Sequence, residues 1–381
     1  WTELNSFTPD QKRIIFTTCN KILDERLKVI PDIRDYIITV IAVVENDSGA
    51  PPFNEWHTTV DAVLGSRSAR KEFADYMEFS ENLYTNNVIY HSASTDWISD
   101  NAHFRFEIED GEPKLIIPSL ALKCESKNSD IEIKKTSGEY YPLSGKWIGK
   151  NGLVTWVRAG LDPNKVYAII NDYEILMKFS KFDADSVTFY NTDYFPDPLL
   201  GRLEDAVRAN VTEDNASFPY FQSYSSRLKI KNIEQNVDYE GGFSQRGARF
   251  IASGSGEDPA FLIFYLNEKP FLEVKSISFS IREDRITSTD AAVKFILHED
   301  SINHPGLDFK FFRDERMVNL FRADEGLQKA PYFDTYHRMD LYAELVQWKI
   351  DQPKIDFTTI PNSSDNRAFF ESDYYFRSNR F

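Results

Sequence analysis

Cysteine is nearly missing from this chain of 381 residues: only Cys19 and Cys124 occur. No C-x-x-C pair exists, which excludes a zinc ribbon and a thioredoxin-like redox site. Cys19 shares a helical face with Ile15 and Ile22, where a buried free thiol is expected. Long apolar runs are missing too. The stretch 37–44, interrupted by Thr39, falls far short of the roughly 20 residues that a membrane-spanning helix needs. No Lys/Arg run is longer than Lys134-Lys135, and a net charge of −16 repels polyanions, so no nucleic-acid partner is expected. Neither the phosphate-loop pattern G-x-x-x-x-G-K-[ST] nor the nucleophile elbow G-x-S-x-G occurs. Motifs therefore assign no cofactor and no catalytic residue, and the reading leans away from an enzyme. No signal peptide is recognisable. Because the chain starts at Trp1 and stops after an aromatic-rich tail, it is expected to be an excerpt of a longer polypeptide.

What is abundant is alternation. In Arg249–Ser253, Val274–Ile281 and Ala292–Leu297, Val, Ile, Leu or Phe recur with a period of two among polar residues, the pattern of a half-buried strand, and the apolar Phe261–Leu266 belongs to the same series. Short turns rich in Gly, Pro, Asp or Asn separate them, which favours sequential antiparallel strands or solenoid rungs. The first part of the chain differs. Thr8-Pro9-Asp10-Gln11 reads as an N-cap, a proline at the first helical position and a capping-box Gln. Helical spacing then predicts helices from Thr8, over 32–44 with Ile33, Ile37, Val40, Ile41 and Val44 inward, over 54–64, and over 68–83 burying Phe73, Tyr76 and Met77. A Pro-containing break is expected at 48–52.

Strand character starts near Val88. Alternation on both sides of Asp110-Gly111 predicts a tight hairpin between 103–108 and 114–117. The expected fold class is α+β: a small N-terminal helical domain followed by a mostly antiparallel β region, as a β-solenoid, open jellyroll or sandwich. Expected domains are 1–97 (two αα-hairpins), 98–215 (first β unit) and 216–381 (second β unit), with a loop over 196–219 as the boundary. Each pattern is expected to pack against itself, giving separable helical and β cores. A faint echo between 183–189 and 288–295 predicts equivalent strands with Val187 and Val293 both inward.

Chemistry-bearing residues are few. His298, Asp300 and His304 bring imidazole and carboxylate close enough in sequence for a divalent metal, although neither H-x-H nor H-x-x-x-H is formed and a solvated turn competes. Asp183 and Asp185 share a strand face and offer a weaker D-x-D pair. Trp147, Trp156 and Trp348 are candidates for stacking a sugar, against the competing role of core filler. The glycines 241, 242, 247, 254 and 256 lack a following helix and read as strand corners. The sequons at Asn46, Asn210, Asn215 and Asn362 are near the chance number and imply no glycosylation.

Tyr239-Glu240-Gly241-Gly242-Phe243-Ser244-Gln245-Arg246-Gly247 and Asp300-Ser301-Ile302-Asn303-His304-Pro305-Gly306-Leu307, with 143–149 and 160–163, resemble a large uncharacterised group of exported β-rich proteins of Gram-negative bacteria. In strand rhythm the chain is also loosely similar to the OstA-like β-jellyroll of lipopolysaccharide transport. The resemblance implies location and scaffold character: exported, in the periplasm or associated with the outer membrane. The expected function is a non-catalytic cell-envelope scaffold or binding protein whose partner is an envelope protein complex or a lipid-like ligand. The alternative is a secreted carbohydrate-binding module or glycoside hydrolase.

Overall fold

The computed structural model describes residues 7–45, 52–254, 258–323, 325–359 and 369–372. The expected break over 48–51, the sequons at Asn46 and Asn362, Gly256 and most of the aromatic tail lie outside the described residues. Among the described residues, four α-helices precede 24 strands, and the strand pairings are antiparallel. The α+β expectation holds. The chain divides into two compact units, Trp1–Phe189 with Arg202–Pro219, and Tyr190–Gly201 with Tyr220–Phe381.

In the first unit, α1 (Pro9–Asp24) starts at the capping box foreseen from Thr8 and Gln11. A π turn over Val29–Ile33 leads into α2 (Arg34–Glu45). The buried stripe of α2 is Tyr36, Thr39, Val40 and Val43, turned from the expected one. The helix is apolar nearly all round, so periodicity alone did not fix its face; the hydroxyls of Tyr36 and Thr39 find partners inside. Helices α3 (Phe53–Gly65) and α4 (Ala69–Asn86) follow, and α4 buries Phe73, Tyr76 and Met77 as expected.

The β part of this unit is a meander of long strands, Glu112–Ser126, Ser129–Tyr141, Lys146–Thr155 and Val166–Leu176, each paired with the next. Thr95–Ser99 and Arg105–Glu109 lie end to end along one edge of Glu112–Ser126, which therefore serves two sheet segments. The Asp110-Gly111 hairpin forms with both residues at positive φ, 53° and 85°. Lys135 and Asn151 also have positive φ in mid-strand and coincide with shifts or gaps in the ladder, the signature of bulges that bend a strand.

Helices and strands share a core rather than keeping two. Tyr84 of α4 meets the rings of Phe104 and Phe106, and Phe79 meets Tyr140. Glu55 of α3 accepts a hydrogen bond from the Phe106 N–H of edge strand Arg105–Glu109 at 2.7 Å. A helix thus covers backbone donors that a bare sheet edge would expose.

The second unit is a two-layer β structure whose long strands pass from one layer to the other. Val237–Arg246 pairs through its first half with Ala260–Leu266 and through its second half with Arg249–Ser253. Arg285–Leu297 pairs with Ser278–Ile281 at its start and Lys269–Ser276 at its end. Asp300–Phe312 does the same with Tyr332–Asp334 and Met317–Phe321. The crossings fall at Gly241-Gly242, around Asp290 (φ 50°) and at 304–307. A Cβ on Gly241 would lie 2.5 Å from the Tyr239 hydroxyl and 2.7 Å from Ala260 Cβ, so the corner needs glycine. Rings from the two layers meet between them: Phe264 packs on Phe309, Phe311 and Trp348, and Phe295 packs on Trp348.

Three expectations need adjustment. Val274–Ile281 is two strands, broken at the exposed Ile277, where the Ser288 hydroxyl ties Ser276 to Ser278. The expected loop over 196–219 contains a strand, Leu199–Ala206. Its inward position at the end is Asp205, a charged residue that hides the alternation. Val187 and Val293 both point inward as expected, but the neighbouring positive-φ residues are Ser186 and Asp290, so the two bends are offset.

Candidate functional site

Of the described groups, the arrangement closest to catalytic machinery lies in the helical layer. His57 Nε2 is 3.0 Å from the hydroxyls of both Thr18 and Tyr36, and its Nδ1 is 3.5 Å from Asp61, one turn along α3. A hydroxyl, an imidazole and a carboxylate in series suggest a nucleophile with its base. Access decides against it. Thr18 is 1% exposed and Tyr36 is fully covered, so no substrate carbonyl reaches either oxygen. Burial pulls the imidazole below its ordinary pKa while Asp61 pushes back. The group ties α1, α2 and α3 together. The i, i+4 spacing of His57 and Asp61 was the sequence signal for it.

A second cluster surrounds Lys114, whose side chain is 7% exposed. Its ammonium lies 3.3 Å from Glu109 and 3.5 Å from Glu139, on neighbouring strands. The Tyr141 hydroxyl donates to Glu109 at 2.7 Å. Burial disfavours the ammonium, but Glu109 and Glu139 more than offset it and the pKa is raised. A third pair joins Arg158 to the buried Asp205, where burial lifts the carboxyl to about 6 against the pull of the guanidinium. All of these are closed on themselves.

The metal-site reading of His298, Asp300 and His304 is corrected by their placement. His298 is exposed in the turn between two long strands, at φ 59°. Asp300 accepts from the Thr335 hydroxyl. His304 is turned inward and 2% exposed. Its Nδ1 accepts from the Gly306 N–H at 3.1 Å, so Nε2 carries the proton and donates to the Ala330 carbonyl at 2.8 Å. Both nitrogens are in use, and no lone pair is left for a metal.

The sugar-stacking reading is corrected in the same way. Trp147 and Trp156 are 0% exposed and Trp348 is 1% exposed. Each indole N–H is satisfied inside: Trp147 by the Tyr173 hydroxyl, Trp156 by the Pro219 carbonyl, Trp348 by the Gln352 carbonyl. Such partners are what let Trp fill a core. Asp183 and Asp185 do share an exposed face, and Asp183 is engaged with Arg202 at 3.3 Å.

Open clefts are also present among the described residues. One of about 510 Å³ lies in the first unit between the turns at 92–95 and 126–129, with His91 bonded to Asp96 at 2.7 Å on its wall. No Trp, Tyr or Phe lines it. Another, about 330 Å³, lies in the second unit beside Ser223–Ser226 and Gly242.

No family model matches the chain, and no curated protein matches it. Among solved structures it is loosely similar to LptH, the LptA-homologous periplasmic component of the lipopolysaccharide transport device from Pseudomonas aeruginosa, over 40% of this chain and 93% of that one. Identity is 10% and the TM-score 0.23, too distant to carry function across. No described helix is long and apolar enough to cross a membrane.

Strand edges are another outward feature. In the first unit, Arg105–Glu109 is closed by Glu55. In the second, Ile355–Thr358 follows Leu345–Lys349 at the end of one layer and pairs on one side only among the described residues. Its Phe357 ring rests on Tyr332, which holds the strand in the layer.

Proposed function

We propose that this protein is a non-catalytic scaffold of the cell envelope, exported to the periplasm or the outer membrane, that engages a protein partner by strand addition. The observation that carries the reading is the strand Ile355–Thr358, which pairs on one side only among the described residues, at the end of a packed layer. A half-paired strand presents a row of N–H and C=O groups that an extended segment of another chain can join. Location rests on the resemblance of the segments at 239–247 and 300–307 to exported β-rich proteins.

Of the two expected partners, a protein is favoured over a lipid-like ligand. An acyl chain would need space between the layers, and rings already occupy it: Phe264 with Phe311 at 5.4 Å and Phe271 with Trp348 at 4.8 Å. Close-packed interiors leave few voids larger than water. Native mass spectrometry of the protein purified from its own envelope tests the choice. The expected result is a complex with a second polypeptide and no stoichiometric lipid. A tightly held lipid on an otherwise free chain would contradict it.

A further inference from the structure

Four arginines stand in one cross-strand row on the outer face of the second unit. Arg246 pairs with Arg249 across a hairpin. Arg282 follows Ile281, the partner of Phe250, and so lies beside Arg249; its N–H donates to the Arg285 carbonyl at 2.9 Å. The next residues along these strands, Phe250, Ile281 and Ile286, are buried, which turns the arginines outward. Residues opposite one another on a sheet have Cβ atoms about 5 Å apart, close enough for guanidiniums to share one anion.

The row lacks what normally neutralises it. Arg285 has Asp284 at 3.4 Å, and nearby Arg313 is paired with Glu234. Arg246, Arg249 and Arg282 form no ion pair and no side-chain hydrogen bond among the described residues. Arg246 lies over the ring of Tyr220 at 5.6 Å, and Arg249 Nε is buried without a hydrogen-bond partner. Arg249 is pulled below its ordinary pKa by burial and by the two like charges beside it. On a chain of net charge −16, three uncompensated guanidiniums held side by side are a local reversal of sign. Like charges directly opposite in a sheet destabilise it. A bound anion removes that cost.

We propose that Arg246, Arg249 and Arg282 form a binding site for a phosphoryl group. Guanidinium forks match the oxygens of a phosphate monoester geometrically and remain charged at any relevant pH. The Tyr220 ring braces one wall. Arg285, already engaged by Asp284, is a flank.

The test uses the full chain. Binding of sodium pyrophosphate is measured by calorimetry, and retention on phosphatidylcholine vesicles with and without phosphatidic acid by co-sedimentation. The wild type is compared with R246Q/R282Q and with R202Q, a control in the other unit. The proposal expects saturable pyrophosphate binding that falls at least tenfold in R246Q/R282Q, stays unchanged in R202Q and weakens with salt. Retention only on phosphatidic-acid vesicles, displaced by pyrophosphate, supports the site and gives its source as a lipid headgroup. Pyrophosphate binding without vesicle retention supports it with a soluble phosphate ester as source. Because the side chains repel one another, R246Q/R282Q is expected to melt at or above the wild-type temperature. Absence of pyrophosphate binding, equal binding by R246Q/R282Q, or earlier melting of that variant would overturn the proposal.

Discussion

Burial without a charge partner fixes the protonation of His304. Removal from water pulls its pKa down to about 4, only partly offset by the hydrogen bond to Ala330. In the unfolded chain the ring titrates near 6.5. Between those values the unfolded state binds a proton that the folded state does not, so stability is complete above pH 6.5 and falls as pH drops towards 4. The loss is roughly 3 kcal/mol at full extent. Asp205 acts with the opposite sign: its carboxyl is raised to about 6, so its contribution is present below about 4 and lost as pH rises to 6. A melting curve would mix the two. A site-resolved probe does not: the His304 ring proton should keep its neutral-imidazole shift from pH 8 to 5 and titrate near 4. A midpoint near 6.5 would contradict its burial. Sequence spacing put His298 and His304 in one candidate site because a period-two pattern does not show where the turn falls. His298 occupies that turn at φ 59° and is exposed, whereas His304 lies in the following strand and faces inward.

At the scale of elements, the packing of Tyr173 shows how strands and glycines were fitted together. Gly138 pairs with Gly149, which pairs with Tyr173 on the next strand. A Cβ on Gly149 would fall 2.1 Å from the Tyr173 ring, whose hydroxyl bonds Thr136 at 2.6 Å and receives the Trp147 N–H. Gly149→Ala is therefore expected to cost about 1–3 kcal/mol in urea unfolding; an unchanged midpoint would mean the ring moves aside freely. The hairpin at Asp110-Gly111, the capping box at Thr8 and most strands were legible because each depends on neighbours in sequence. The strand at Leu199–Ala206 was not, since its inward Asp205 is explained only by Arg158, 47 positions away. Nor was the arginine row, whose members meet through register and not through spacing. Separable cores were expected from the change of period, yet Tyr84 lies on Phe104 and Phe106. A fragment starting at Trp97 uncovers those rings and the Phe106 N–H. It should aggregate or bind a hydrophobic dye; a monomer with native near-ultraviolet dichroism would contradict the shared core.

For the whole molecule, candidate chemistry resolves into structure: the tryptophans fill cores, His304 braces a corner, and His57 ties three helices together. What faces outward is sheet surface, clefts, an arginine row and strand edges. One edge is covered by a helix and another, Ile355–Thr358, is half-paired among the described residues. That contrast is the basis for proposing a partner that adds to the strand Ile355–Thr358. The most direct test is site-specific photocrosslinking in the native host, with a benzophenone side chain replacing Asp356 on that strand or, as control, the exposed Asp172. The account expects a discrete adduct with a second polypeptide from position 356 and none from position 172. No adduct from 356, or the same adducts from both positions, would contradict it.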